Sequence, residues 1–353
     1  MLVVQAGCRN PCNPSGDDFD PRNISRNSGN SYEANIALGV LGEPHAVWHD
    51  STPGNWEILY STESPDEFWS PPTTVSNSSS LSSDPDIAVD ASGVVHVVWM
   101  EEVSIGQVFY ATKPNGGVWS SPVNISNSAD LATQPRIVTD NSQAAHVVWT
   151  EAPIMYSSKP PSGLWTTPQA IIPSGLGPVN PSIAVALDGG VHVISEGGSD
   201  EIFYIFKAPG DTWSQPVNVS NNPGLSFAPD VAVSPSGDVY AVWYEVFEQK
   251  AYYTVKYEND SLFQVPVEVP NVLGVPDIAI DANGCLHLIW SLDGEISYSK
   301  KPPSNDWSIP INISNTGGYS SNPDLTAGGG VQIHAIWQDL TPGNWDIFYD
   351  TPP

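Results

Sequence analysis

Carboxylates recur at two fixed positions along the chain, and carboxylates commonly bind cations or transfer protons. One set follows a tryptophan by two residues: Asp50, Glu101, Glu151, Glu245 and Asp339. The other set opens short apolar segments: Asp86, Asp230, Asp277 and Asp324. Glu101 and Glu151 are candidates for the acid and base of a glycosidase, and the second set supplies candidate Ca²⁺ ligands. Because the acids repeat, backbone capping and solubility explain them as well.

Two tryptophans lie in matching segments, Asp-Ser-Thr-Pro-Gly-Asn-Trp-Glu at 50–57 and Asp-Leu-Thr-Pro-Gly-Asn-Trp-Asp at 339–346. Aromatic faces stack on the C–H faces of sugars, while nearby polar groups bind the hydroxyls and give the site its specificity. The segments therefore predict a ligand site that contains Trp56, Trp345, Asp50 and Asp339. The alternative is that both indoles only cover an edge of the fold.

Histidine, a general base and a frequent metal ligand, also recurs at one position. The six copies are His45, His96, His146, His192, His287 and His334. Copies spread around a large circle cannot converge on one substrate, so a structural role is favoured. Because Asp90, Asp140 and Asp281 precede three of these histidines by six residues, we expect Asp–His hydrogen bonds that brace a hairpin.

The spacing of these residues reveals an internal repeat. The segment at 84–99 returns in similar form at 134–149, 228–243 and 275–290. The histidine position, occupied by Tyr240 in the fifth copy, recurs every 46 to 51 residues and marks seven units. A tyrosine ends a later apolar run in each unit, and eleven of the 13 tryptophans occupy two recurring positions. We expect those eleven to pack between neighbouring units.

Each unit predicts four short strands, because apolar runs alternate with turn sequences such as Asp-Ala-Ser-Gly at 90–93. In the unit that begins near Asp84, strands A to D are expected at 86–89, 94–99, 107–112 and 118–125. Four strands in a repeat of this length are typical of a propeller blade. We therefore predict an all-β fold, a seven-bladed β-propeller of four-stranded antiparallel blades.

The two ends of the chain predict how the ring closes. The last unit ends after strand C, and its missing Pro-x-Asn-Ile-Ser strand occurs at 21–25. We expect residues 19–25 to supply the outer strand of blade seven, so that 19–353 form one propeller after an N-terminal extension of residues 1–18. Such closure removes an exposed sheet edge.

The stretch from Tyr110 to Ser126 resembles the repeat of the sialidase-like propellers, in which an Asp-box turn, Ser-x-Asp-x-Gly-x-x-Trp, precedes strand D. The turns of this chain, for example Lys-Pro-Asn-Gly-Gly-Val-Trp at 113–119, lack the Ser and Asp and are degenerate. The resemblance implies a propeller. Sialidases of that family bind the substrate carboxylate through three arginines, whereas only Arg136 lies on a predicted inner strand here. Sialidase activity is therefore not expected.

Units three and four depart from the repeat. Arg136 replaces the Asp of strand A, Ser195 replaces the Trp of strand B, and the loop after Trp149 shortens to Glu-Ala-Pro. Functional sites often break local rules, so Arg136 joins the candidate ligand-binding residues, as does Glu245 on the same predicted face.

Composition excludes several classes of function. The 353 residues carry 11 basic and 39 acidic side chains, a net charge of −28, which repels nucleic acid and acidic polysaccharides. No apolar run approaches the ~20 residues of a membrane-spanning helix. Cys8 and Cys12 are close enough in sequence to pair in an oxidising compartment, whereas Cys285 is expected in the core. We expect a monomer outside the cell or on its surface, with a periplasmic or lipid-anchored location as the alternative.

These patterns favour an extracellular, non-catalytic binding propeller, either lectin-like or a protein-interaction module. Its glycan or protein ligand is expected on the face formed by the B–C and D–A loops. Two alternatives stay open: a glycoside hydrolase or polysaccharide lyase that acts on a neutral glycan, and a scaffold domain of a larger surface protein. The sequence contains no cofactor-binding motif, and Ca²⁺ is the one candidate ligand of this kind.

Overall fold

The computed structural model describes residues 21–198, 200–221, 224–328 and 332–353, which form seven four-stranded antiparallel sheets. The chain is therefore an all-β, seven-bladed propeller, as the repeat predicts. The N-terminal extension at 1–18 and the Cys8/Cys12 pair lie outside the described residues. No helix in the described ranges is long and apolar enough to cross a membrane.

The strands of the first four blades follow one another along the chain after β1 (Arg22–Asn23), which belongs to blade seven. Blade one contains β2 (Ser31–Leu38), β3 (Pro44–Asp50), β4 (Glu57–Thr62) and β5 (Thr73–Thr74). Blade two contains β6 (Ser82–Val89), β7 (Val95–Glu102), β8 (Gly106–Lys113) and β9 (Val123–Asn124). Blade three contains β10 (Thr133–Thr139), β11 (Ala145–Thr150), β12 (Ile154–Lys159) and β13 (Gln169–Ile172). Blade four, after the 3₁₀ turn Ser174–Leu176, contains β14 (Val179–Val185), β15 (Val191–Gly197), β16 (Glu201–Lys207) and β17 (Val217–Asn218).

The last three blades complete the ring. Blade five contains β18 (Ser226–Val233), β19 (Val239–Glu245), β20 (Lys250–Lys256) and β21 (Val267–Glu268). Blade six contains β22 (Asp277–Ile280), β23 (Leu286–Leu292), β24 (Glu295–Lys301) and β25 (Ile311–Asn312). Blade seven contains β26 (Ser320–Ala327), β27 (Ile333–Asp339), β28 (Asp346–Asp350) and, as its outer strand, β1.

In blade two, for which the sequence predicts strand bounds, the lengths of the inner and outer strands differ from the predicted ones. In blade two the inner strand β6 begins at Ser82, because a β-bulge between Ser83 and Asp86 lets the pairing continue past Asp84, whose φ is 49°. The outer strand β9 has two residues instead of eight. Pro122, which precedes β9, has no N–H to donate to a longer ladder.

The core lies between blades. Tryptophans at the end of strand B are almost fully buried, and Trp48 of blade one packs in a cluster with Ile336 and Tyr349 of blade seven. Edge-to-face contacts also join successive blades, as between Tyr60 of blade one and Trp119 of blade two, whose ring centroids are 5.1 Å apart. The inter-blade role expected for the recurring tryptophans is confirmed at these contacts.

Hydrogen bonds between neighbouring inner strands surround the central channel. In four blades the strand-A aspartate accepts the backbone N–H of the next blade's strand A. The pairs are Asp86 with Ile137 (2.7 Å), Asp230 with Ile278 (3.0 Å), Asp277 with Leu325 (2.9 Å) and Asp324 with Ile36 (2.7 Å). A carboxylate therefore joins the blades wherever it occupies this position.

The N-terminal strand closes the ring as predicted. Strand β1 pairs antiparallel with β28, with Arg22 opposite Tyr349. The Ile24 N–H donates to the carbonyl of Ile347 (2.8 Å), and the N–H of Ile347 donates to the Ser25 hydroxyl (2.9 Å). Ile24 is 1% exposed, so the N-terminal segment contributes to the core as well as to the sheet.

Ile24→Ala tests the closure. Removing a buried isoleucine side chain should lower the free energy of unfolding by about 2–5 kcal/mol, measured by urea denaturation. Ile309→Ala is the control, because Ile309 is 85% exposed and its truncation should change stability by less than about 0.5 kcal/mol. Equal, small effects of both substitutions would show that the N-terminal strand does not close the ring in solution.

Candidate functional site

The B–C and D–A loops share one face of the propeller. In blade one, the B–C loop amide of Asn55 donates to the carbonyls of Ser78 (3.1 Å) and Ser80 (2.8 Å), which lie in the D–A loop that leads to blade two. The face on which the sequence places a ligand site is therefore formed by loops that contact one another.

The two matching segments adopt the same loop conformation. The N–H of Thr52 donates to Asp50 Oδ1 and that of Thr341 donates to Asp339 Oδ1, each at 2.7 Å. Gly54 and Gly343 have φ values of 109° and 103°, which only glycine adopts readily. Asp50 and Asp339 are themselves buried and hold the loops in place, so their predicted role in ligand binding gains no support from this geometry and stays a prediction.

Trp56 and Trp345 belong to one aromatic patch, which comprises Tyr32, His49, Trp56, Tyr319 and Trp345. Tyr32 lies between the two indoles, with its ring centroid 5.7 Å from that of Trp56 and 5.8 Å from that of Trp345. His49 meets Trp56 edge-on at 5.1 Å, and Tyr319 meets Trp345 edge-on at 6.0 Å. Both tryptophans and Tyr32 are half-buried, whereas Tyr319 is 55% exposed.

The sequence analysis missed Tyr32 and Tyr319. Tyr32 stands where blades two, three and seven have Ser83, Thr133 and Ser321 but where blade five has Phe227, so the repeat by itself does not single it out. Tyr319 lies in a loop without a repeating pattern, so its contact with Trp345 follows only from the three-dimensional structure.

The aromatic patch borders a central cavity of about 820 Å³, lined by the bulged residues and the strand-A side chains of the seven blades. Glu33 follows Tyr32 in β2, lines this cavity and has a φ of 51°. Its Oε2 lies 3.2 Å from His49 Nδ1. Glu33 and His49 therefore connect the aromatic patch with the cavity.

Glu33 and Asp84 form an acid pair at the wall of this cavity. Burial alone would raise the pKa of Glu33, but hydrogen bonds with the side chains of His49 and Asp84 lower it to about 2. Burial and the neighbouring Glu33 charge raise the pKa of Asp84 to about 6. The pair thus holds one negative charge and one proton at mildly acidic pH.

Arg136 lines the same cavity, as its strand-A position predicts. Its Nη1 donates to the carbonyl of Pro135 at 2.9 Å. Burial raises the pKa of Asp86 to about 6, although the Arg136 charge acts in the opposite direction. Of the arginines in the described ranges, Arg136 alone is part of the cavity wall, so no arginine triad lines it there.

The acids that follow a strand-B tryptophan are buried, between 0% and 7% exposed. In four blades the carboxylate accepts the indole N–H of that tryptophan and a serine hydroxyl, an arrangement we call the Ser–acid–Trp bridge. It joins Asp50 to Trp48 and Ser31, Glu101 to Trp99 and Ser82, Glu151 to Trp149 and Ser128, and Glu245 to Trp243 and Ser226. None of these acids lines the central cavity. Their predicted roles in catalysis or ligand binding gain no support from this geometry and stay predictions.

The strand-A aspartates do not gather into a compact cation site. Within the described ranges, one group of three potential ligand atoms lies within 4.8 Å of one another, and it comprises Asp281, Cys285 and His287 of blade six. Asp86, Asp230, Asp277 and Asp324 each hold a neighbouring blade instead. Calcium binding by these four stays a prediction that their geometry does not favour.

The recurring histidines are buried structural residues. His96 Nε2 lies 3.2 Å from Asp90 Oδ2, and His146 Nε2 lies 3.2 Å from Asp140 Oδ2, which confirms the predicted brace in blades two and three. In blade six the Asp281 and His287 atoms are 3.5 Å apart and form no hydrogen bond, so the prediction is wrong for this pair. The six histidines also share a partner that the sequence analysis did not assign, because Nδ1 bonds to the hydroxyl of the strand-C tyrosine. The pairs are His45–Tyr60, His96–Tyr110, His146–Tyr156, His192–Tyr204, His287–Tyr298 and His334–Tyr349.

Comparison with known proteins supports the fold. No protein-family model matches the chain, and no curated protein matches it in sequence. Among solved structures, a lectin from Burkholderia pseudomallei superposes with a TM-score of 0.67 and 14% identity over 90% of this chain and 98% of its own. A protein of unknown function from Dyadobacter fermentans has a TM-score of 0.63 and 12% identity, covering 94% and 97% of the two chains. A Hadza microbial sialidase has a TM-score of 0.54 and 12% identity, covering 90% and 65%.

The chain therefore has the sialidase-like propeller fold, which is found in lectins and sialidases alike. Identities of 12–14% show the architecture and do not transfer a function. The degenerate Asp-box turns stay an interpretation of the sequence.

The strand-A aspartates that line the central cavity predict that the stability of the protein depends on pH. Burial raises the pKa of Asp324 from 3.8 to about 7. The folded protein thus holds this proton over a pH range in which the unfolded chain has lost it, and the resulting stabilisation is lost as the pH rises from 4 to 7. Asp324→Asn cannot ionise and still accepts the Ile36 N–H. Between pH 4 and pH 8, the free energy of unfolding of the Asp324→Asn variant should rise by at least about 1 kcal/mol relative to that of the wild type. Urea denaturation at both pH values measures this difference.

The exposed Asp66→Asn substitution is the control and should show no such trend. The histidines titrate in every variant, so comparison with the wild type removes their contribution. A stability difference between wild type and Asp324→Asn that is the same at pH 4 and pH 8 would contradict the raised pKa of Asp324.

Proposed function

We propose that the protein is an extracellular, non-catalytic binding propeller that binds a neutral glycan on the aromatic patch beside the central cavity. The observation on which the proposal rests is the convergence of two identical loop motifs. Trp56 from blade one and Trp345 from blade seven flank Tyr32 on the face formed by the B–C and D–A loops.

The chemistry of the aromatic patch suits sugar rings. Half-buried aromatic side chains offer flat apolar surfaces held in fixed orientations, and such surfaces stack on sugar C–H groups at little entropic cost. Polar groups for the hydroxyls lie beside them, since Glu33 connects the patch to the cavity wall and accepts hydrogen bonds when ionised.

Electrostatics favours a neutral ligand. The net charge of −28 and the ionised Glu33 at the edge of the patch repel sialic acids, uronic acids and phosphate. Arg136 is the basic residue of the cavity wall, and the acids Asp84 and Asp86 lower its attraction for a ligand carboxylate.

The placement of the acids supports binding rather than hydrolysis. A glycosidase needs two carboxyl groups at least ~5 Å apart, with the sugar or a water molecule between them. Glu33 Oε2 accepts the backbone N–H of Asp84 at 3.3 Å, and the Glu33 charge raises the pKa of Asp84, so the two carboxyl groups lie side by side without such a gap. Glu101 and Glu151 are occupied within their own blades by the Ser–acid–Trp bridge.

A glycan array tests the proposal. The purified protein should bind a restricted set of neutral glycans, and Trp56→Ala and Trp345→Ala should each weaken binding at least about tenfold, the loss of ~1.4 kcal/mol expected when a central aromatic contact is truncated. Phe247→Ala is the matched control, because Phe247 is 77% exposed in the B–C loop of blade five, outside the aromatic patch. It should bind as the wild type does.

Chelator should not change the binding, because the strand-A aspartates form no compact cation site. Binding that requires Ca²⁺ would instead support the prediction that the strand-A aspartates bind this ion, namely Asp86, Asp230, Asp277 and Asp324. An empty array would overturn the glycan proposal and favour a protein ligand or a scaffold role. Glycan binding that both tryptophan variants retain would place the site elsewhere.

A further inference from the structure

Blade six contains a buried group of three side chains with different ligand chemistry. The carboxylate of Asp281, the thiol of Cys285 and the imidazole of His287 bring one potential ligand atom each to within 4.8 Å of one another. All three residues are less than 9% exposed. They lie in the A–B turn and the start of β23, away from the aromatic patch.

The turn that positions these groups is the one that recurs in other blades. Asp281 Oδ1 accepts the N–H groups of Asn283 and Cys285, each at 2.9 Å, which leaves Oδ2 free of these bonds. In blade two, Asp90 Oδ1 accepts the N–H groups of Ser92 and Val94 in the same way. The difference is the fourth residue after the aspartate, which is a thiol in blade six and aliphatic in blade two.

The Asp–His distance changes along with that residue. It is 3.2 Å in blades two and three, where the two side chains are hydrogen-bonded. In blade six, Asp281 Oδ2 and His287 Nε2 are 3.5 Å apart, and the buried Nε2 has no hydrogen-bond partner. Two ligand atoms of a tetrahedral Zn²⁺ ion, bound at 2.0–2.1 Å, are separated by about 3.4 Å. The observed distance fits that separation.

The hydrogen bonds of His287 direct a lone pair toward the group. The Tyr298 hydroxyl donates to the oxygen of Pro353 (3.4 Å), so its own oxygen accepts from Nδ1–H of His287 (2.6 Å). Nε2 then carries the lone pair, as in histidines that bind metals and donate their other N–H to a second group. The nearby Lys300 ammonium donates to the same Pro353 oxygen at 2.8 Å, which holds it in a hydrogen bond there.

We propose that Asp281, Cys285 and His287 form a binding site for a divalent transition-metal ion of the Zn²⁺ class. Carboxylate, thiolate and imidazole are the ligands that Zn²⁺ takes in proteins, whereas Ca²⁺ and Mg²⁺ prefer oxygen ligands. Three protein ligands leave a fourth position for water. Binding releases the thiol proton to solvent, because the thiolate is the ligand.

Cobalt titration tests the site, because a thiolate bound to Co²⁺ gives a charge-transfer absorption in the near ultraviolet. The protein is used with Cys8→Ser and Cys12→Ser, so that Cys285 is its one thiol. We expect one equivalent of Co²⁺ to give this absorption and an equivalent of Zn²⁺ to displace it. Cys285→Val, which reproduces the residue of blade two, should abolish the absorption and the rise in Tm that Zn²⁺ produces.

Blade two supplies the converse experiment. Val94→Cys places a thiol in the same turn of blade two, but there Asp90 and His96 are hydrogen-bonded to each other at 3.2 Å, so this variant should bind no second equivalent of Co²⁺ with comparable affinity. Absence of the absorption in the parent protein, or its persistence in Cys285→Val, would overturn the proposed site. A second Co²⁺ ion bound as tightly by folded Val94→Cys would overturn the argument that the unpartnered Nε2 of His287 distinguishes blade six.

Discussion

The propeller depends on one recurring interaction, in which an inner-strand carboxylate accepts a backbone N–H of the next blade. Asp86, Asp230, Asp277 and Asp324 each make this bond, and together they line the central channel. A buried carboxylate loses the water that solvates it, and hydrogen bonds to the charged form offset part of that cost. At these four junctions the bond fixes the position of one inner strand relative to the next.

This constraint explains why the recurring polar residues are poorly placed to bind a ligand. The strand-A acids join blades, the acids after the strand-B tryptophans form bridges within blades, and the histidines bond to tyrosines. A group engaged in a buried hydrogen bond cannot leave it for a ligand without a penalty of about 1–3 kcal/mol. The two binding sites that we propose therefore lie where one blade departs from its neighbours: the aromatic patch of blades one and seven, and Cys285 of blade six.

The pKa values also differ between the acids that join blades and the acid beside the aromatic patch. The channel acids Asp86 and Asp324 have pKa values raised by burial to about 6 and 7, whereas that of Glu33, bonded to His49 and Asp84 beside the aromatic patch, is about 2. At mildly acidic pH, protons partly neutralise the channel while Glu33 stays charged. The structural acids are thus most stabilising when protonated, and the acid that borders the proposed ligand site remains a hydrogen-bond acceptor.

The sequence by itself determined the seven blades, the four strands in each, the ring closure by residues 21–25 and the Asp–His brace of blades two and three, because repeat spacing and local turns fix them. It also singled out Trp56 and Trp345. Only the tertiary structure decided that Tyr32 and Tyr319 complete the aromatic patch, and that Glu101 and Glu151 face a tryptophan rather than a cavity. Spacing along the chain defines a residue's place within its blade, whereas burial and contacts depend on how side chains from different strands and blades pack together.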